Sequence, residues 1–510
     1  MDSINRRQFL KTGGAAAVGL TFAGEALASQ AAAARASSRM IAIQIGAVSF
    51  VDEGIEQCLD ILQERGAVNT IMPAVYSNSR GTAGRHKPYP GHGKNVEDMS
   101  IKGGNYATVH PSFYKDIAID PLRTQATDHP GFDVLRDLTP HTRKRGMKVI
   151  GLFQNSFDEK LPGAEKMLSY DFNGQRTDAL CFNNPYHRNF LTGLVDDLAN
   201  SYDIDGLIYV NETQGAFTDM IGARFRGRER GLPGSRTCFC RHCMDKGKAQ
   251  GIRVERLKAA FEEAEKFVAA GRARQKPVDG FYVSFWRLLL RNPELLQWEH
   301  LYHESYREVY KLMYDHVKAV NRNLLFGLHI WTNTSMNPLY RAEQDFAELS
   351  KCADFLKLAL YNNCGGARMA SYIQSIGDTV YGDLPLEQAA QFHYRILNYP
   401  NEAPYPRVSE TGLSANYVYQ EVRRALAGRG NNGAKILAGI DVDIPLSQLD
   451  IVEGARMEKA QQTTRERVRD ATRDALRAGA EGIVISRKYS EMKLDNLSGI
   501  GDAVREPGVA

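Results

Sequence analysis

The sequence predicts an α/β fold, a single (β/α)8 barrel of the TIM type, and three observations carry the prediction. Short runs rich in Val, Ile and Leu alternate with longer amphipathic stretches, the rhythm of strand and crossover helix. The runs number eight, enough to close a ring. Each is apolar almost throughout, as parallel strands covered on both faces should be. An open doubly wound sheet is the competing architecture, but it calls for a glycine-rich phosphate turn after an early strand. Gly46-Ala47-Val48-Ser49-Phe50 after the first run is not that fingerprint.

In chain order the predicted strands are 41–48, 68–75, 148–153, 206–210, 324–330, 355–361, 436–442 and 482–486. Between them the 3.6-residue apolar spacing predicts helices over 55–65, 133–145, 189–200, 299–320, 342–351, 414–426 and 457–478. Tyr302, Tyr306, Tyr310, Leu312, Met313 and His316 recur at that spacing, which reads as a packed helix face rather than an aromatic binding stripe. Two connections are long, 76–130 after the second strand and 213–295 after the fourth. Loops leaving the C-terminal strand ends build the active site of such barrels, so insertions there argue for an elaborated cleft. Within the second, 254–274 reads as a charged helix with a solvated face.

At 510 residues, 43% hydrophobic and 24% charged, the composition is that of a globular chain with a large core. The formal net charge is +4, but residues 1–40 carry Arg6, Arg7, Lys11, Arg35 and Arg39 against only Asp2 and Glu25. The body is therefore close to neutral and lacks the electrostatic footprint of a nucleic-acid binder. The front segment, with Arg6-Arg7, Phe9-Leu10-Lys11, a short apolar run over 13–24 and Ala26-Leu27-Ala28, resembles a twin-arginine export signal. It implies passage through the twin-arginine export machinery to the periplasm or the exterior; an uncleaved anchor of the same composition is the alternative. The expected organisation is a signal and linker over 1–40 and a catalytic barrel over 41–510 with a cysteine-rich insertion at about 213–295.

Seven cysteines cannot all pair within one chain, which argues against a disulfide framework. Cys238, Cys240 and Cys243 lie within six residues, and thiolates so close repel unless protonated, bridged or bound to a soft ion such as zinc. Cys181 is the candidate fourth ligand. A structural zinc is the expectation, with free thiols or one disulfide as alternatives; no cofactor is expected for catalysis.

The fourth predicted strand delivers Asn211 and Glu212 at its C-terminal end. Asn followed by Glu at this place resembles the acid/base motif of the large retaining clan of barrel glycoside hydrolases, which implies that Glu212 protonates the leaving oxygen and Asn211 bonds the sugar. The seventh strand ends in Asp441-Val442-Asp443, where the clan carries its nucleophile as Glu, and the eighth delivers Arg487, Tyr489 and Glu491. Glycosidic cleavage commonly uses two carboxyl groups, one to donate a proton and one to stabilise positive charge at the anomeric carbon. Glu212, Asp441 and Glu491 are the catalytic candidates. Each also has a structural reading as an ion pair or a helix cap.

Other rim residues suit a sugar, since aromatic faces stack on C–H surfaces while amides and imidazoles bond hydroxyls. His329 and Trp331 leave the fifth strand, Tyr361 and Asn362 the sixth, Gln154 and Asn155 the third, and His110 sits in the second-strand loop. His329 could equally be a satisfied core histidine.

Over residues 41–505 the chain resembles hypothetical glycoside hydrolase-like barrel proteins of bacteria, on its DGLIYVNE strand end, CFCRHC cluster, GLHIW fifth strand and terminal GIVISRKYSEM. A comparable cysteine cluster occurs in a β-galactosidase family of the same clan, where it binds zinc. The resemblance implies a barrel acting on a carbohydrate substrate. Two other readings stay open, a metal-dependent sugar isomerase or epimerase using Glu212, His329, Asp441 and Glu491, and a sugar-binding barrel without catalysis. Association into a homo-oligomer is also left open.

Overall fold

The computed structural model describes residues 39–78, 103–223, 237–431, 433–443, 463–486 and 489–507. Eight parallel strands form the ring: β1 Met40–Gly46, β2 Thr70–Ser77, β3 Lys148–Gln154, β4 Gly206–Val210, β5 Leu325–Ile330, β6 Phe355–Ala359, β7 Lys435–Asp441 and β8 Gly482–Ser486. Neighbours pair in sequence order around the sheet. Closure is made by β1, whose Ile43 is in register with Ile71 of β2 on one side and Ile485 of β8 on the other. All eight expected strands are present, displaced at their ends by one or two residues.

The alternation of side chains along each strand divides the apolar residues into two cores. Inside the ring lie Ala42, Met72, Ala74, Ile150, Leu152, Ile208, Val210, Phe355, Leu437 and Val484. The opposite faces pack under the helices in one continuous outer cluster. Filling the interior needs local gaps. A Cβ on Gly327 would lie 2.1 Å from the Phe355 ring, so this glycine of β5 makes room for the largest interior side chain.

The helices that cover the ring follow the predicted periodicity. α1 (Ile55–Gly66) buries Cys58, Leu59 and Leu62, and α2 (Val134–Lys144) starts at Asp133, whose side chain accepts from the amides of Leu135 and Arg136. α3 is Pro185–Ser201. In the insertion after β4, α4 (Leu257–Arg272) shows Lys and Glu to solvent but buries Leu257, Ala260, Phe261, Ala264 and Val268. It is followed by α5 (Gly280–Arg291) and by the 27-residue α6 (Glu294–Val320), which starts five residues before the expected point. The single helix expected over 342–351 is split, because Asp345 caps a new start by accepting from the amides of Ala347 and Glu348.

A third long connection, 360–434 after β6, opens with α7 (Asn362–Gly377) and ends with α8 (Ala415–Gly428). The Gly365-Gly366 pair hides α7 in the sequence, yet packing demands it: a Cβ on Gly366 would sit 2.0 Å from the carbonyl oxygen of Val408. The chain closes with α9 (Arg465–Arg477) and α10 (Leu494–Arg505); the expected start of α9 at 457 lies outside the described residues.

Candidate active site

Alternation on β4 decides which side chain of the Asn-Glu pair faces the mouth. Ile208 and Val210 point into the ring, so Glu212 continues the inward series. Asn211 turns outward and is buried, its Nδ2 donating to Tyr310 Oη on α6 at 3.1 Å and its Oδ1 accepting from Thr213 Oγ at 2.9 Å and from Asn155 Nδ2 at 3.3 Å. The segment just beyond Glu212 is anchored by the buried Glu299 of α6, which accepts from the amides of Phe217 and Thr218 at 3.1 and 3.2 Å. Gly215 lets that carboxylate approach, since a Cβ there would lie 2.2 Å from Glu299 Oε2.

Glu212 keeps 39% of its side chain exposed, while its partner His329 keeps 2%. The His329 Nε2 to Glu212 Oε1 distance is 3.0 Å. On the other side of the imidazole, Lys357 Nζ lies 3.2 Å from His329 Nδ1, and it donates to Tyr361 Oη at 2.6 Å. Lys357 is fully buried and its Nζ stands 4.7 Å from the centroid of the Tyr361 ring. Four side chains from β4, β5, β6 and the turn after β6 thus form one chain of polar contacts at the mouth. Trp331, expected to contact a sugar, is buried together with Tyr340, the two rings packing edge-on with centroids 5.7 Å apart. Burial pushes the Tyr340 hydroxyl up, and the nearby charge of Glu212 adds to it.

Lys357 escaped the sequence reading because it stands within the apolar run Phe355-Leu356-Lys357-Leu358-Ala359. The signal was there: a lysine at an inward position of a strand buried on both faces must find polar partners.

The acids after β7 have different company. Asp441 is fully buried. Its Oδ2 accepts from the Cys364 amide at 2.8 Å and its Oδ1 from the Asn363 amide at 3.1 Å, so it caps the N-terminus of α7. Asp443 Oδ2 accepts from the Lys493 amide at 2.8 Å and Asn496 Nδ2 at 2.9 Å, at the start of α10. Burial raises the Asp443 carboxyl to about 6 against the bonds that favour its charge. Arg487 and the side chain of Glu491 lie outside the described residues.

The remaining rim candidates divide. Ser77 Oγ donates to Gln154 Oε1 at 2.6 Å at the end of β3. Asn362 begins α7 with its side-chain oxygen buried. Tyr489 is buried and donates to Glu53 Oε2 at 3.1 Å. His110 pairs through Nδ1 with Asp197 of α3 at 2.7 Å, in the outer helix layer.

Cys181, Cys238, Cys240 and Cys243 are all buried, with their sulfurs within 4.8 Å of one another. Cys181 Sγ is 3.4 Å from Cys240 Sγ and 3.6 Å from Cys243 Sγ. A tetrahedral ion with metal–sulfur bonds of about 2.3 Å places its sulfurs roughly 3.8 Å apart, so the donor set fits zinc. Cys181 follows a hairpin in the connection after β3, whereas the other three come from the insertion after β4. Among the described residues no other group of three or more His, Cys, Asp or Glu gathers as a metal-type ligand set.

Residues 3–23 match the family model of the twin-arginine translocation pathway signal sequence. The chain is therefore addressed for export, to the periplasm or the exterior, and among the described residues no helix is long and apolar enough to cross a membrane. No curated protein matches the chain in sequence. Among solved structures it is similar to the PgaB (BpsB) glycoside hydrolase domain from Bordetella bronchiseptica, with 10% identity over 91% of this chain and 99% of that one and a TM-score of 0.47. It is also similar to a β-galactosidase from the psychrophilic Marinomonas ef1, with 9% identity, 91% and 59% coverage and a TM-score of 0.48. A class V chitinase from Pseudomonas fluorescens Pf-5 shows 8% identity, 92% and 100% coverage and a TM-score of 0.42. This chain thus spans only about three fifths of that β-galactosidase.

Proposed function

We propose that this protein is an exported glycoside hydrolase that cleaves glycosidic bonds of an oligo- or polysaccharide, with Glu212 as its proton-transfer group. The observation that carries the reading is the half-exposed Glu212 carboxyl at the C-terminal end of β4, backed by the buried His329, Lys357 and Tyr361. A proton donor must reach the glycosidic oxygen from a site that is open to substrate yet held on its inner side, and Glu212 meets both conditions. It would protonate the leaving oxygen as the C–O bond breaks and then take a proton from the incoming water. In this reading Asp441 is a helix cap, and Glu491, whose backbone lies in the turn Tyr489–Glu491 after β8, is the partner carboxylate to test. A zinc ion on Cys181, Cys238, Cys240 and Cys243 would be structural, tying the two mouth connections together with no open coordination position.

The test is a panel of oligo- and polysaccharides scored for both binding and reducing-end release. The wild-type protein should release product, and Glu212→Gln should lose about 10²–10⁴-fold in rate while staying folded. Equal release by Glu212→Gln removes the assignment, and binding without release by the wild type favours a carbohydrate-binding barrel. Elemental analysis should find zinc that disappears in Cys240→Ser; manganese or magnesium that depends on Glu212 and His329 would favour the isomerase reading instead.

A further inference from the structure

The buried Lys357 is the strongest feature that the proposed reaction does not itself use. Strand β7 leaves space for its stem, because a Cβ on Gly439 would lie 2.5 Å from Lys357 Cε and 3.0 Å from Nζ. Among the described residues its Nζ lies within hydrogen-bond distance of Tyr361 Oη and His329 Nδ1. An ammonium has protons to give and no lone pair. The ring nitrogen that faces it must therefore offer a lone pair, which leaves the single imidazole proton on Nε2, facing Glu212 Oε1 at 3.0 Å.

We propose that Lys357 is a positioning residue that fixes His329 as the neutral Nε2–H tautomer and keeps it from becoming an imidazolium beside Glu212. A second proton on His329 would have to sit on Nδ1, opposite a positive charge about 3 Å away in a site closed to water, and that repulsion opposes it. The consequence falls on Glu212. An imidazolium would hold the carboxylate ionised through a full ion pair, whereas a neutral N–H donor leaves Glu212 able to gain and lose a proton. Among the described residues the charged and titratable groups around the imidazole include Glu212 from the end of β4, Lys357 from β6 and Tyr361 from the turn after β6. Tyr340 feels the charge of Glu212, and Arg368 of α7 lies 5.8 Å from the Tyr361 ring centroid. The inference rests on the reading of Glu212 above for its catalytic meaning, but not for the state of the histidine.

Imidazole ¹⁵N spectra of the full chain, with His329 assigned by its loss in His329→Gln, read the tautomer directly. Wild-type His329 should show an unprotonated Nδ1 and a protonated Nε2 and should not titrate between pH 5 and 8. In Lys357→Met, which keeps the stem and removes the charge, His329 should take up its second proton at a higher pH than in the wild type; Lys357→Arg should restore the wild-type behaviour. On a cleaved glycan, Lys357→Met should lower kcat by about tenfold or more with KM little changed, and Lys357→Arg should recover most of it. A wild-type His329 that titrates in this range, or that carries its proton on Nδ1, overturns the proposal whether or not any glycan is cleaved, and needs no variant to fold. A His329 whose proton uptake is unchanged in folded Lys357→Met overturns it as well. If the spectra behave as expected while neither protein releases sugar, the positioning role stands and the glycosidase reading fails.

Discussion

The ends of β4 and β7 offer the same raw material, an acid at the C-terminal rim, and put it to opposite uses. Glu212 leaves β4 with more than a third of its side chain in solvent and a histidine bonded to one oxygen. Asp441 leaves β7 with no solvent contact and an amide proton on each oxygen. The cause lies in the backbone that neighbours each acid. After β6 the chain turns at once into α7, whose first amides need an acceptor, and the adjacent Asp441 supplies it. Glu212 is spared that demand, because Glu299 of α6 already takes the amides of the short helix after β4. At these two strand ends the carboxylate stays open to solvent where another group has met the local demand of the backbone.

This contrast is open to attack by substitution, and the largest effect on stability belongs to Asp441. Asp441→Ala strips the Asn363 and Cys364 amides of their acceptor in a buried setting and leaves the Asn363 side chain only its bond to the residue 441 carbonyl, which should cost about 3 kcal/mol of unfolding free energy. Denaturant titration reads it. A variant as stable as the wild type but inactive would return Asp441 to the chemistry and break the comparison.

The sequence carried the ring plainly but the site only in part, for a physical reason. Strands buried on both faces write themselves as apolar runs, so all eight could be placed from residues alone. Glu212 and His329 stood at two strand ends and were readable. The role of Asp441 was not, because a cap is defined by its partner helix and α7 is disguised by Gly365 and Gly366, which make room for Leu413 and for the Val408 carbonyl rather than favouring a helix. Lys357 was hidden in the same way, since the partners that let a lysine lie in the interior come from β5 and the turn after β6, which only the closed ring brings near.

Asp443 gives an intermediate effect with a sign that depends on pH. Its carboxyl is raised to about 6 by burial, above the value near 3.9 of an unfolded chain. The folded state therefore holds a proton that the unfolded state has lost between these values, so this residue makes stability fall as pH rises from about 4 to 6 and then level off. Asp443→Asn keeps an oxygen for Lys493 and Asn496 but cannot ionise. Relative to the wild type it should be near neutral at pH 4 and more stable by about 2 kcal/mol at pH 7. Unfolding curves at both pH values check it, and a gap that does not change with pH would show that Asp443 is ionised throughout.

The smallest expected effect sharpens the comparison most. Glu212→Gln retains a carbonyl oxygen to accept from His329 Nε2, and the side chain it alters is partly in water, so the unfolding free energy should move by no more than about 0.5 kcal/mol. Set beside the loss expected for Asp441→Ala, this near-silence is what separates a carboxyl the fold does not depend on from one spent on the fold. A loss of about 2 kcal/mol or more in Glu212→Gln, measured by the same denaturant titration, would mean that the ionised carboxylate is itself a support of the mouth, through the His329 and Lys357 contacts. Any fall in glycan release by that variant would then have to be separated from damage to the site before Glu212 could be credited with moving a proton.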